Sequence, residues 1–327
     1  FVGWFSPDGQ LDKITGPITF YAQFAVKDEN RLPDGEDDGD DLPGYTIGWL
    51  DITNCVDYNG NVFDGYTLND SDQTMAITEC NNNFNVAVRI PEILTLDNTT
   101  YTVVKLGGFK EHNKLELLFL HNKLVELSAN ALASCTNLME LELPESLQTL
   151  RAAALQGCTR LTELTIPANV TMIEDSAISH CVNLEKIIVD NNNTNFEVKQ
   201  NCLIDIKNKK LIQGLATGTI PSDGSVTTLG QYCFASMPIT LMQIPEGISK
   251  VANNAFSRCA SLKEVILPSS IQVLEATCFA WCYELSKVNL PEGLTDIMTY
   301  VFSSCTLSEV SIPASVNNIL NRSFGDM

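Results

Sequence analysis

The chain has 327 residues, 44% of them apolar, and 40 Asp and Glu against 20 Lys and Arg give a net charge of −20. So acidic a chain repels phosphate, which argues against nucleic acid and anionic membrane as partners. The densest basic cluster is only Lys207, Lys209 and Lys210. No stretch reaches the roughly 18 consecutive apolar residues of a membrane span, and no signal peptide opens the chain, which begins at Phe1 inside a motif and reads as a fragment of something longer.

Residues 1–26 predict a short β-rich piece, with Phe1, Trp4 and Phe5 before a Pro7-Asp8-Gly9 turn and Ile18, Phe20 and Phe24 alternating after it. Residues 27–44 predict an acidic linker. Asp28, Glu29, Asp34, Glu36, Asp37, Asp38, Asp40 and Asp41 stand there against Lys27 and Arg31, and such a run buries too little apolar area to offset its ordering entropy. A calcium loop is the sharper reading of Asp34 to Asp41, but the ligand order and closing Glu of an EF-hand are missing. Residues 45–103, punctuated by Asn59-Gly60 and Asp64-Gly65, predict short antiparallel strands that form a β-rich N-terminal cap.

From residue 104 to 327 the chain repeats. An apolar residue recurs at Phe109, Leu132, Leu155, Ile178, Phe234, Phe256, Phe279, Phe302 and Phe324, in steps of 22 or 23 with one irregular step of 56. Three or four positions later come Cys135, Cys158, Cys181, Cys259, Cys282 and Cys305. A Leu-x-x-(Leu/Val)-x-(Leu/Ile)-Pro phrase follows, as in Leu138, Leu141, Leu143 and Pro144 or Leu262, Val265, Leu267 and Pro268. The end of that phrase has period 2 and predicts one parallel strand per coil, ended by Pro; the i, i+3 spacing of the Phe and Cys positions predicts a helical turn. The fold expected is therefore an α/β repeat, a solenoid of about ten coils sharing one core. The long step places an enlarged repeat at about 190–221, where Phe196 to Val198, Cys202 to Ile206, and Leu211 and Ile212 predict a β-hairpin projecting from the coil. Phe324 is followed by only three residues, so further sequence or a neighbouring molecule is expected to cover the last coil.

Little in this pattern points to catalysis. Eleven cysteines cannot all pair, and six share one inward slot, where they act as small apolar residues. Cys55 and Cys80 lie outside that slot, and an export route would favour their pairing. A nucleophilic Cys needs a base, yet His112 sits in the Cys slot of the first coil, His121 in a Pro slot, and His180 points away from Cys181. Zinc would need more than Cys278 and Cys282, and no Gly-rich phosphate loop or Gly-x-Ser-x-Gly elbow occurs. Glu140, Glu163, Glu264 and Glu309 share one repeat position and read as a solvated strand edge. The chain is read as non-enzymatic, with no catalytic, cofactor-binding or metal-binding residue and no cofactor.

The phrase from Val251 to Pro268, with Asn253-Asn254-Ala255-Phe256-Ser257-Arg258-Cys259 at its centre, resembles the BspA-like leucine-rich-repeat family across residues 104–327. Residues 1–26 are similar to the second half of a Listeria-Bacteroides repeat, whose signatures appear as Gly3-Trp4 and Tyr21-Ala22-Gln23-Phe24. Together these resemblances imply an extracellular or cell-surface bacterial protein that attaches to a host or bacterial partner. Alternatives are a spacer that displays another domain and a glycan-binding module, for which Trp281 and Tyr283 are the close aromatic pair.

The outward residue between the last two apolar positions of each strand phrase lines the predicted partner-binding face: Phe119, Glu142, Thr165, Ile188, Gln243, Ile266 and Asn289, with Ser311 after them. A spacer would keep these positions polar. Phe119, Ile188 and Ile266 depart from that rule, either as anchors in a polar rim or because β-branched residues suit strands and the inserted hairpin covers Ile188.

Overall fold

The computed structural model describes residues 4–5, 21–22, 48–49, 65–79, 87–96 and 99–325. The acidic linker and the pairing of Cys55 with Cys80 lie outside the described residues. Of residues 1–26, Trp4–Phe5 pairs antiparallel with Tyr21–Ala22.

Each regular coil contributes two short parallel strands and a side made of turns. One series of strands holds the end of the Leu-rich phrase: Ala87–Arg89, Leu117–Phe119 and Glu140–Leu141 run in parallel register, as do Glu163–Ile166 with Lys186–Val189, and Leu241–Gln243 with Glu264–Ile266 and Lys287–Asn289. A second series begins with Thr99–Gly108 and continues through Glu126–Leu127, Thr149–Leu150 and Met172–Ile173. It resumes as Lys250–Val251, Val273–Leu274, Asp296–Ile297 and Asn318–Ile319. Thr74–Glu79 adds to this second series in parallel with Thr99–Gly108 and carries Gly65–Asn69 antiparallel on its outer edge.

The α/β label needs correction: no helix occurs among the described residues. On the turn side, Asn130 and Ser134 flank Leu132 with φ of 58° and 60°, and Asn254 and Arg258 flank Phe256 with 58° and 60°. A helix requires right-handed residues throughout, and these alternating left-handed ones turn every second N–H outward along the stack. Asn130, Leu132 and Ser134 therefore donate to the carbonyls of Ala152, Ala154 and Gln156 in the next coil, at 2.9, 2.7 and 2.6 Å. The i, i+3 spacing that predicts a helical turn is met instead by single turns, such as Cys135 N–H to Leu132 O at 3.1 Å.

Inside, the repeated apolar positions stack. Phe234, Phe256, Phe279 and Phe302 are fully buried, with neighbouring ring centroids 5.3 to 5.7 Å apart and planes within 9°. Each such side chain contributes about 1.5–3 kcal/mol through burial, and no coil could keep it from water alone.

The enlarged repeat corrects a second expectation. Phe196–Lys199, Cys202–Asp205 and Lys210–Gly214 form an antiparallel meander, and Lys210–Gly214 then pairs parallel with Thr228–Leu229. The meander does not project. Leu203 and Ile212 join the core of the N-terminal coils, while Cys202, Ile204 and Leu211 join that of the C-terminal coils. Its apolar residues are consecutive rather than alternating, the pattern of strands covered on both faces. Asn193 fastens its start: the amide donates to Pro167 O at 2.8 Å and Val170 O at 3.0 Å, and its oxygen accepts from the Phe196 N–H at 3.1 Å.

Candidate partner-binding face

The parallel register brings the outward residues into columns. Arg89 stands beside Phe119, Thr165 beside Ile188, and Ile266 between Gln243 and Asn289. The inserted meander separates the columns into an N-terminal and a C-terminal half.

In the N-terminal half, Phe119 is half-buried, with the Arg89 guanidinium 5.6 Å from its ring centroid. It lines a groove of about 350 Å³ with Leu117, Asn122, Glu140, Glu142 and Glu145. Glu140, Glu142 and Thr165 are all exposed, and partial desolvation in the groove raises the Glu140 carboxyl above its ordinary value. Ile188 is half-buried on the strand that runs beside Phe196–Lys199.

In the C-terminal half, Ile266 is 37% exposed and Gln243 is exposed. Asn289 does structural work, since its side chain accepts from the Leu267 N–H at 2.8 Å and donates to Leu267 O at 2.9 Å. Sequence reasoning missed Leu241, the most exposed apolar residue of this face at 53%. Leu241 stands opposite Glu264, in the column that Glu163 and Lys186 occupy elsewhere. The signal was present in the sequence: the phrase Leu241-Met242-Gln243-Ile244-Pro245 puts Leu in the slot that holds a charge at Glu140, Glu163, Lys186, Glu264 and Lys287. That charged column is tied by ion pairs, Lys186 to Glu163 at 3.0 Å and Lys287 to Glu264 at 2.5 Å, which at such exposure contribute little to stability.

Burial pushes the Cys135, Cys181 and Cys259 thiols up to about 12. The His180 Nδ1 lies 2.8 Å from the Ser236 hydroxyl, and His112 is buried with Nδ1 3.1 Å from Lys110 O. Among the described residues, no cluster of His, Cys, Asp and Glu could hold a metal ion, and no helix is long and apolar enough to cross a membrane.

Coils of this length and wording match the model of the BspA type leucine-rich repeat region, in six copies over residues 81–208 and 213–327. The chain belongs to the BspA-type leucine-rich-repeat family. Among solved structures it is similar to the pneumococcal vaccine antigen PcpA, at 16% identity and a TM-score of 0.56, with 81% of each chain covered. That likeness extends to the fold. A leucine-rich cell surface protein of Faecalibacterium prausnitzii aligns at 20% identity and a TM-score of 0.46, over 81% of this chain and 86% of its own. A leucine-rich-repeat protein of Eubacterium ventriosum gives the same identity and score over 79% and 91%. No curated protein matches the chain. Leucine-rich-repeat domains generally mediate protein–protein interactions.

Proposed function

We propose that this BspA-type chain is a non-enzymatic adhesin, displayed outside a bacterial cell, that recognises a protein on a host or bacterial surface through the outer face of its Leu-rich strands. The observation that carries the reading is the pair Leu241 and Ile266, exposed at 53% and 37% on adjacent in-register strands beside the polar Gln243, Glu264 and Asn289. Apolar anchors ringed by polar side chains are the usual core of an interface, and a spacer has no use for them. The same proposal keeps residues 45–103 as an N-terminal cap, 27–44 as a linker and 104–327 as the recognition solenoid.

The test is capture of host matrix proteins and bacterial envelope proteins on the immobilised chain, compared with Leu241→Asp, Ile266→Asp, Phe119→Ala and Ile188→Asp. Each exposed anchor should cost at least about 1 kcal/mol of affinity with a nearly unchanged melting temperature. Equal capture by the combined variant would remove binding from this face, and absence of any captured protein would favour the spacer.

A further inference from the structure

The acidic excess of the chain is not spread evenly. On the turn side, the segments 130–138, 152–162, 176–184, 230–240, 252–263, 276–283, 298–308 and 320–325 contain neither Asp nor Glu. Glu275, at the edge of this side, is occupied by Lys250 at 2.9 Å and by the Asn253 N–H at 3.0 Å.

The turn side also has an unusual choice of side chains. The left-handed slots flanking the core residue suit Asn, Ser or Gly, and the N-terminal coils hold Asn130, Ser134 and Gly157 there, together with Glu111 and Ala153. From the fourth of these coils onward the same slots hold His180, Tyr232, Arg258, Trp281, Tyr300 and Arg322, with φ between 52° and 61°. A left-handed backbone costs such residues on the order of 1 kcal/mol each, so the fold alone gives no reason for them.

These side chains form two parallel columns. In one, His180 Nδ1 lies 2.8 Å from Ser236 Oγ, Arg258 follows, and its guanidinium stands 5.2 Å from the Trp281 ring centroid. In the other, Tyr232, Asn254, Thr277, Tyr300 and Arg322 succeed one another, with Arg322 6.0 Å from the Tyr300 ring and Tyr232 5.8 Å from His180 across the columns. Arg151 and Arg160 sit on carboxylates. Arg258 and Arg322 lie over rings instead, exposed, with no carboxylate within salt-bridge distance among the described residues. A stacked guanidinium keeps its edge N–H groups free for an anion. Burial, and then the charge of Arg258, hold the His180 imidazole below its ordinary value, so the arginines carry the positive charge here.

We propose that the turn side of the C-terminal coils binds an anionic polysaccharide, one bearing carboxylates or sulfates. Aromatic rings offer flat partners for the C–H faces of sugar rings, the arginines match sparse anions, and Ser236, Asn253, Asn254, Thr277 and Ser304 supply hydroxyl and amide partners for hydroxyls. The columns advance one residue per coil, in steps like the 5.3 to 5.7 Å of the Phe stack beneath them, which suits an extended chain. Duplex DNA carries one charge per roughly 1.7 Å, too dense for two guanidinium groups on a chain of net charge −20. Tyr, Trp and Arg also centre protein interfaces, so an acidic protein surface is the competing occupant, and equal affinity for poly-glutamate is the outcome that would reveal it.

The slots themselves supply safe variants: Arg258→Ser and Trp281→Ser place a residue already present there as Ser134, Ser236 and Ser304, and Arg322→Asn matches Asn130 and Asn254. Binding of the full chain would be measured by tryptophan fluorescence and calorimetry against heparin, polygalacturonate, neutral dextran, poly-glutamate and a DNA duplex, with melting curves to verify folding. Heparin or polygalacturonate should bind, and whichever binds more tightly distinguishes sulfate from carboxylate recognition. Dextran should not bind. The triple variant should weaken polysaccharide binding at least about tenfold. Leu241→Asp should leave it unchanged, which separates this surface from the strand face. Binding of neither anionic polysaccharide, equal binding by the triple variant, or equal affinity for poly-glutamate or DNA would overturn the proposal.

Discussion

The repeated cysteine shows how a single residue serves the fold. Each thiol donates to the carbonyl of the core residue one coil earlier: Cys135 to Phe109 at 2.9 Å, Cys158 to Leu132 at 3.3 Å, Cys259 to Phe234 at 3.0 Å and Cys282 to Phe256 at 3.2 Å. Each of these carbonyls also accepts a backbone N–H, as Leu132 O does from Cys135 at 3.1 Å, so the thiol is a second donor to an oxygen that is already paired. The sequence makes the burial of these cysteines legible, because the slot is periodic, but the hydrogen bond depends on a separation in space between residues 25 or 26 apart. Cys158→Ala should lower stability by about 0.5–1.5 kcal/mol in urea unfolding, through the lost packing of a fully buried sulfur and the small cavity it leaves. Native alkylation at pH 8, mapped by peptide mass, should leave the nine described free thiols unlabelled, since burial raises all of them. Rapid labelling of Cys135 or Cys259 would contradict this account.

Among elements, the inserted meander departs furthest from the regular coil. Its outer strand must fit under the next coil, and Gly214 makes the fit: a Cβ there would lie 2.1 Å from the Phe234 ring. Gly214 N–H also donates to Cys233 O at 2.7 Å, so the backbone cannot retreat without losing that bond. Lys210 forms an ion pair with Asp175 of the preceding coil, joining the insert to its other neighbour. Gly214→Ala should destabilise the chain by about 1–3 kcal/mol through overpacking, and Phe234→Leu in the same chain should recover part of the loss. Additive losses in the double variant, measured by denaturant melts, would show that the ring is not what excludes the methyl group. The hairpin itself was legible from Asn191 to Ile212, but its burial was not. Whether consecutive apolar residues project as a sticky edge or are sandwiched depends on neighbours 20 to 40 residues away.

For the whole molecule, acid should weaken the fold before its carboxylates titrate. Burial lowers both His121 and His180 from the ordinary 6.5, with Glu92 opposing the shift at His121 and Arg258 adding to it at His180. A group whose folded pKa is depressed contributes stability that is present above its unfolded value and lost as pH falls through the folded one. The melting temperature should hold steady from about pH 7 to 8, below the ordinary thiol value of 9.0, and begin to fall on the acid side near 6.5. His180→Asn, a residue suited to the left-handed slot with φ of 60°, should flatten that fall. An unchanged pH profile in the His121→Asn, His180→Asn double variant would assign the acid sensitivity elsewhere.

What the sequence by itself determined was the repeat: its 22 or 23-residue period, the inward ladder of Phe and Cys, the parallel strand ended by Pro, and the family those phrases belong to. Periodicity carries that information because every coil must bury the same positions against the same neighbours. Tertiary structure decided the rest. The Phe-to-Cys segment has the spacing of a helical turn, yet bonding between coils makes it a run of turns, because alternate N–H groups find better-placed carbonyls in the next coil than in their own. Phe119, Ile188 and Ile266 could be placed on one face by alternation alone, whereas Leu241 joined them only once register set it opposite Glu264, on the strand next to that of Ile266. The arginine and aromatic columns are dispersed over more than 140 residues, and no local window holds a basic patch. Stacking of coils brings them together, and distance along the chain carries no trace of it.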